Sequence, residues 1–376
     1  MTTMKAAVFS GNGPTLTVED IPIPTPGPGE VLIKVAACGV CHTDLHVMKS
    51  EVAFPTPAVL GHEVSGVVEQ VGPAVEHLAP GDRVVCSFIM PCGDCRHCAR
   101  GAEELCEKFF AHNRLRGTLY DGTTRLHRAD GTPLSMYSMG GLAEYCIAPA
   151  SSAFVVPQDV SLDAVAILGC SSFTALGAIN TAQLRLGERV AVVAAGGVGT
   201  SIVQLAAAAG ASQIIAIDID DDKLAAVTAL GATHTINSRT LDAAEAVRDL
   251  TDGHGVDVAF EALGSAATFG TACDIVDDGG RVVVVGIAPA GSAGAIDLAR
   301  LVRRKISILG SYGGKARRDM PDLLRMVAAG TVRPLDAITR RYPIDQVDDA
   351  YQALARGEII GRAVIDMAST LDTTGT

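Results

Sequence analysis

The sequence predicts a two-domain α/β protein. One domain is a partly open β-barrel built of short strands, and the other is a doubly wound, six-stranded parallel sheet. Three observations carry that expectation. The chain has 376 residues, whereas single hydrophobic cores rarely grow past about 250–300 residues. Its first part is cut into short apolar runs by Gly and Pro, and its middle alternates strand-length apolar runs with helical stretches.

The early runs are MKAAVF, VLIKVAACGV, SGVVEQVG and DRVVCSFI, separated by turns such as PTPGPGE and LAPGDR. Short strands with frequent breakers cannot build a parallel sheet, so a barrel-like arrangement follows. Over 172–312 the order becomes RVAVVAA, VGTSIVQLAAAAGA, QIIAID, KLAAVTALGA, a strand near HTIN, VDVAFEAL, RVVVVGIA and KISILGS. Val and Ile run there without polar alternation, which marks strands covered on both faces of a parallel sheet. Beyond Tyr312 come a helix at PDLLRMVAAG, a second at IDQVDDAYQALARGE and a closing strand, RAVIDM. This tail is expected to return to the first domain. The expected bounds are therefore 1–171 with 313–376 for the barrel domain and 172–312 for the sheet domain. The last few residues read as a frayed end.

Composition narrows the function. Hydrophobic content of 48% with 40 glycines fits a loop-rich α/β enzyme. A net charge of −12 argues against a nucleic-acid partner, which requires a basic face. The N-terminus has no charged region followed by an apolar core, so no signal peptide is expected. The most apolar stretch, 190–211, is broken by Gly196, Gly197, Gly199 and Gln204, and reads as strand plus helix rather than a membrane span. Ten cysteines, several at metal-ligand spacing, suit a reducing, cytoplasmic setting.

Cys92, Cys95, Cys98 and Cys106 form a C-x2-C-x2-C-x7-C cluster. Four thiolates at this spacing reach one tetrahedral zinc, a closed site that braces a loop and performs no chemistry. A ferredoxin-like cluster would close with C-x3-C-P, but Cys106 is followed by Glu107. Four unliganded or disulfide-bonded cysteines are the other alternative.

A dinucleotide site is readable at Ala194, Gly196 and Gly199, in the register G-x-G-x-x-G with Ala first, where a strand gives way to a helix. Gly196 lets a backbone approach a pyrophosphate and Gly199 lets the helix pack on the sheet. The amides of the turn Gly196, Gly197, Val198 and Gly199 stabilise phosphate charge. Asp218, 19 residues after Gly199, ends the next strand. Its carboxylate can accept from ribose hydroxyls and would repel a 2′-phosphate, and Asp220, Asp221 and Asp222 add negative charge, so NAD is favoured over NADP. A plain βα turn with a capping aspartate is the bland alternative.

A second, open metal site is suggested by three distant residues: Cys41 in C-H-T-D, His62 in G-H-E and Cys170 in L-G-C. Two cysteines, one histidine and a fourth position left for substrate are a known catalytic-zinc donor set. Each residue alone is ordinary. Cys170 by itself reads as a small buried hydrophobe, and Cys38 with Cys41 reads as a redox C-x-x-C pair. Thr43 offers a hydroxyl beside Cys41, and Asp44 can orient His62 from behind the metal. Cys38 reads as core.

With these residues assembled, the chain resembles the zinc-dependent medium-chain alcohol dehydrogenases over nearly its whole length. GHEVSGVVEQVG at 61–72 is similar to that family's zinc signature, and the four-cysteine loop and Gly-rich turn follow in the expected order. The resemblance implies a GroES-like catalytic domain and a Rossmann NAD-binding domain. It implies two zincs per chain, one catalytic on Cys41, His62 and Cys170 with Glu63 behind, one structural. By the same resemblance Thr43 takes the alcohol proton and passes it through a nicotinamide ribose hydroxyl to His46. His42 and Arg362 contact the pyrophosphate, Lys223 reaches the adenosine ribose and Ile287 adjoins the cofactor. Phe88 and Ile287 line the pocket, bordered by Met136, Tyr137 and Leu142.

The implied reaction is hydride transfer between NAD and a primary or aromatic alcohol, reversed as aldehyde or ketone reduction. An apolar lining disfavours sugars and polyols. The interval of 63 residues between Cys106 and Cys170 resembles that of dimeric members, so a homodimer is expected, with a tetramer as the alternative. Thiol-adduct (glutathione-type) formaldehyde dehydrogenases are the runner-up. They use a basic residue soon after the last structural cysteine, where this chain has Phe110. A non-catalytic NAD-binding relative would require a lost zinc ligand, and all three are present.

Overall fold

The computed structural model describes residues 2–367, and the chain end expected to fray lies outside them. It divides into two compact units, 1–170 with 315–376, and 171–314.

The first unit is built on two sheets. Its seven-stranded sheet runs Ala153–Val155, Arg83–Cys86, Val64–Val71, Glu30–Val40, Arg362–Asp366 and Ile338–Pro343, with Tyr145–Pro149 also pairing with Glu30–Val40. Glu30–Val40 is the hub: its N-terminal half pairs with Tyr145–Pro149 and its C-terminal half with Arg362–Asp366, both antiparallel. The closing strand RAVIDM therefore joins a strand laid down some 320 residues earlier, through registers such as Ala363 with Val40. A five-stranded sheet holds Leu16–Pro22, Thr3–Phe9, Ala58–Val59, Pro133–Met136 and Leu126–His127. Short strands with breaks between them form barrel-like layers rather than one flat sheet, as the sequence pattern predicts.

The second unit carries six parallel strands in the order His234–Asn237, Gln213–Asp218, Arg189–Val193, Val256–Glu261, Val276–Val284 and Ser307–Gly310. Its core holds Ala191, Val193, Ile215, Ile217, Val256, Ala259 and Val282, all nearly or wholly inaccessible. Each of the Val and Ile side chains contributes about 1.5–3 kcal/mol by leaving water, and each Ala less. The direction of strand order reverses between Arg189–Val193 and Val256–Glu261. In doubly wound sheets the crevice for a ligand opens at that reversal. The turn at 194–199 leaves Arg189–Val193 there and enters the helix Gly197–Ala208.

The helix expected to start at Pro321 begins earlier and runs Ala316–Ala328, with Pro321 inside it. Asp319 explains the earlier start: its carboxylate accepts from the Lys315 N–H at 2.7 Å and stabilises the first turn. Proline is a strong start signal in sequence because its missing N–H costs nothing in a first turn. Among the described residues no single helix is long and apolar enough to cross a membrane.

Candidate metal centre

Cys41 ends a run of extended backbone and caps the short helix His42–Met48. His62 and Glu63 directly precede the strand Val64–Val71, and Cys170 follows a 3-10 turn at Ala166–Gly169. Gly61 is at φ +94°, and a side chain there would meet the Leu142 backbone N at 2.5 Å, so only glycine turns the chain sharply enough to aim His62 inward. The Phe88 N–H donates to the Gly169 carbonyl at 2.9 Å, which ties the Cys170 turn to the loop after Arg83–Cys86.

These turns bring donor atoms of Cys41, His62, Glu63 and Cys170 within 4.8 Å of one another. His62 is fully buried and its Nδ1 meets Asp44 Oδ1 at 3.0 Å. Asp44 thereby fixes the tautomer that leaves the Nε2 lone pair facing the two sulfurs, and Nε2 has no hydrogen-bond partner. A buried imidazole nitrogen left without a donor is costly unless a cation takes its lone pair. That orphan, beside two sulfurs, fits a zinc ion.

The electrostatics agree. Burial opposes it, yet Asp44 and Cys41 raise the His62 imidazole well above its ordinary range. The Cys170 thiol bonded to it, and the His62 imidazole, hold the Cys41 thiol well below its ordinary range despite burial. Burial drives the Glu63 carboxyl up to about 7 even with Arg362 beside it. The pocket concentrates negative charge and demands a positive one.

Asp44 is itself held by Gly61 N–H at 3.2 Å and by the Tyr351 hydroxyl at 3.0 Å. Tyr351 is fully buried and lies 307 residues from Asp44. Nothing in the sequence foretells it, because Tyr351 occupies an ordinary apolar position of an amphipathic helix. Arg362, expected at the pyrophosphate, is buried and donates to Glu63 and to the Val40 carbonyl, behind the sulfurs.

Thr43 Oγ1 lies 3.5 Å from Cys41 Sγ. His42 is exposed at the head of the helix, its ring 6.5 Å from that of His46. His46 Nδ1 pairs with Glu51, a partner absent from the sequence reading. Phe88 and Tyr137 present ring edges to His62, with centroids at 6.1 and 5.8 Å. Met136 and Leu142, expected at the pocket border, are wholly buried. Cys38 is fully buried and, as expected, belongs to the core.

The second cluster, Cys92, Cys95, Cys98 and Cys106, also gathers its sulfurs within 4.8 Å. Backbone N–H groups of Cys92, Cys95 and Cys98 point at neighbouring sulfurs at 3.3–3.5 Å. Burial pushes the Cys95 thiol up, but N–H donors from Cys98, Glu107 and His97 outweigh it and bring it to about 6. Four sulfurs gathered together, with backbone N–H donors aimed at them, fit a metal tetrad.

In the sheet unit, Ala194 stands at φ +81°, a left-handed conformation that glycine ordinarily takes. A side chain on Gly199 would lie 1.9 Å from the Ala194 carbonyl oxygen, so the helix is packed against the turn. One on Gly196 would meet nothing within 4 Å, leaving the open cradle that a phosphate needs. Asp218 Oδ2 accepts from the Ala195 N–H at 2.7 Å, and Oδ1 from Ile219 and Asp220. The acidic residue thus braces the turn as well as ending its strand. Lys223 sits in the first turn of Asp221–Thr228, capped by Asp220, and Ile287 is exposed.

Comparison with known proteins agrees with this geometry. Residues 27–158 match the alcohol dehydrogenase GroES-like domain and 197–329 the zinc-binding dehydrogenase domain. The chain is 35% identical over 370 residues to an NDMA-dependent alcohol dehydrogenase of Amycolatopsis methanolica, covering 97% of this chain and 99% of that one. It is 36% identical over 374 residues to a probable S-(hydroxymethyl)glutathione dehydrogenase of Schizosaccharomyces pombe, 97% of each. The crystal structure of benzyl alcohol dehydrogenase from Acinetobacter calcoaceticus superposes with a TM-score of 0.92 at 32% identity, covering 98% of this chain and 100% of that one. An oriented imidazole beside two sulfurs, a sulfur tetrad and a phosphate turn, matched from end to end by such relatives, establish that this chain belongs to the zinc-dependent medium-chain alcohol dehydrogenases.

Proposed function

We propose that the chain is an NAD-dependent dehydrogenase for primary and aromatic alcohols, also running in reverse on aldehydes and ketones. It carries two zincs per chain, one held by Cys41, His62 and Cys170 and one by the four-cysteine loop. The observation that carries this reading is the buried His62 Nε2, oriented by Asp44 and left without a partner beside two sulfurs. Bound there, zinc supplies Lewis acidity that acidifies an alcohol hydroxyl, and NAD supplies the hydride acceptor.

The chain's own residues do the rest. Thr43 accepts the hydroxyl proton, and His46, half exposed, delivers it to solvent. Glu51 holds the His46 ring in place, and its own carboxyl is lowered by that bond. Glu63 and Arg362 set the charge behind the sulfurs. The Gly196 cradle and the amides of Gly197 and Val198 receive a pyrophosphate, with His42 and Lys223 as further contacts, and Asp218 disfavours a 2′-phosphate.

A reducing, cytoplasmic setting is supported by ten free cysteines. A homodimer is supported by the helix Leu298–Arg303, which has no buried residue and leaves Leu298 and Val302 exposed near the edge strand Ser307–Gly310. An apolar sheet edge of this kind invites pairing with a second copy. The second reading, oxidation of an S-hydroxymethyl thiol, is favoured by the S. pombe relative.

The test is an NAD-reduction screen over alcohols graded in length and aromaticity, beside S-hydroxymethyl thiols, with metal analysis of the same sample. Two zinc equivalents and turnover of simple alcohols are expected. His46→Gln should slow oxidation, and added imidazole should restore it. One zinc equivalent with no turnover would refute the reading.

A further inference from the structure

Glu261 is a buried acid that the reaction does not use. It is the last residue of the strand Val256–Glu261 and is wholly inaccessible. Its Oε1 accepts from the Leu263 N–H at 2.9 Å, the Gly264 N–H at 2.8 Å and the Thr268 hydroxyl at 2.7 Å, whereas Oε2 has no hydrogen-bond partner. Ser265 caps the helix Ala266–Ile275 by accepting from the Thr268 N–H at 3.1 Å, so one carboxyl oxygen holds both the loop and the start of the helix. The Glu261 carbonyl also accepts from the N–H groups of Val285 at 2.9 Å and Gly286 at 3.1 Å, which follow the neighbouring strand Val276–Val284. The two loops meet backbone to backbone. A side chain on Gly286 would lie 2.0 Å from the Gly264 nitrogen, and one on Gly264 2.5 Å from the Ile287 carbonyl carbon. On this locked pair Leu263 and Ile287 are 58% and 57% exposed, apolar surface left open.

A buried carboxyl oxygen without a partner is costly, and such exceptions concentrate where local stability yields to function. The strand order says which function. Asp218 ends a strand on one side of the reversal, the phosphate turn at 194–199 stands at it, and Glu261 ends the strand on the other side. The Ala262 N–H donates to the Val193 carbonyl at 3.0 Å and ties the two sides together. A dinucleotide lying across the reversal with its adenosine towards Asp218 brings its nicotinamide half over the loops that Glu261 holds. We propose that Glu261 is a positioning residue for the nicotinamide half of the cofactor, a reading that rests on the NAD dependence proposed above. It fixes Leu263–Gly264 against Gly286–Ile287 as a ledge whose apolar side chains take the face of the ring. A ledge that drifts lets the ring tilt, so Glu261 acts on the cofactor without touching it.

The test measures, by calorimetry on the zinc-loaded enzyme, the binding of NADH and of ADP-ribose, which lacks the nicotinamide. Glu261→Ala strands the donors of Leu263, Gly264 and Thr268. It should weaken NADH about 10-fold, the scale of a lost hydrogen-bonded support, and ADP-ribose less than about twofold. Glu261→Gln, whose amide oxygen can accept from the same donors, should restore most of the NADH affinity. Thr268→Val removes a single donor and should show the same split at smaller size, which carries the test if the Ala variant does not fold. Equal weakening of both ligands, or unchanged NADH binding, in whichever of these two variants folds would overturn the positioning role and leave NAD dependence standing. A wild type that binds neither ligand would instead bring down the NAD reading, and the role of Glu261 with it.

Discussion

Removing one buried hydroxyl, in Tyr351→Phe, should loosen the metal centre from a residue that never touches the metal. Tyr351 and Asp44 are both wholly buried, and their hydrogen bond is 3.0 Å long. Burial pushes the Tyr351 phenol well up, so it remains a donor. A hydrogen bond to an ionised carboxylate inside a protein stabilises by about 1.5–3 kcal/mol, and leaving Asp44 Oδ2 without this donor forfeits that amount. For a unit of this size a loss of about 2 kcal/mol lowers Tm by roughly 4–8 °C. Asp44 also orients His62, so zinc affinity should fall about 10–100-fold, the range for losing an outer support of a metal ligand. The assay is thermal unfolding of the zinc-loaded enzyme, together with the rate of zinc transfer to a chromogenic chelator. Zinc release and Tm both equal to wild type would refute the reasoning, because the phenol would then be a passenger in the core.

Other outcomes follow from the same geometry. Cys98→Ser should remove one zinc equivalent and sensitise the loop 92–106 to proteolysis while the Cys41 centre keeps its own metal, read by metal analysis and mass-mapped digestion. Gly199→Ala should weaken NAD binding through the clash with the Ala194 carbonyl, measured by calorimetry. Ala194→Gly should raise unfolding stability by up to about 1 kcal/mol by relieving a left-handed alanine. Asp121 supplies a pH test: burial pushes its carboxyl up, but Arg125 and Thr123 outweigh this and hold it at about 2. Its folded value lies below the ordinary one, so its contribution is present above about pH 4 and disappears as pH falls through about 2. Because Asp121 is half exposed, screening keeps that contribution under about 1 kcal/mol. Urea unfolding of Asp121→Asn should show a small deficit near neutral pH that vanishes in strong acid.

Much of this was legible in the sequence because it rests on local spacing. The six parallel strands announce themselves as unbroken Val and Ile runs, and the cysteine loop as a fixed set of intervals. Cys41, His62 and Cys170 are readable only jointly, since each has a bland reading alone. Asp44 is found because it shares a short motif with Cys41. Tyr351 is invisible because only the pairing of Arg362–Asp366 with Glu30–Val40 delivers its helix to Asp44.

The dependence of the Asp44–His62 pair on Tyr351, and of Glu63 on Arg362, gives this centre an order in time. Translation delivers the sulfurs and the imidazole first and the two residues that steady them well over a hundred residues later, so a nascent chain holds its thiols before it can hold them still. Ribosome-stalled chains ending just short of Tyr351 should therefore capture zinc more weakly than chains that include Tyr351 and Arg362.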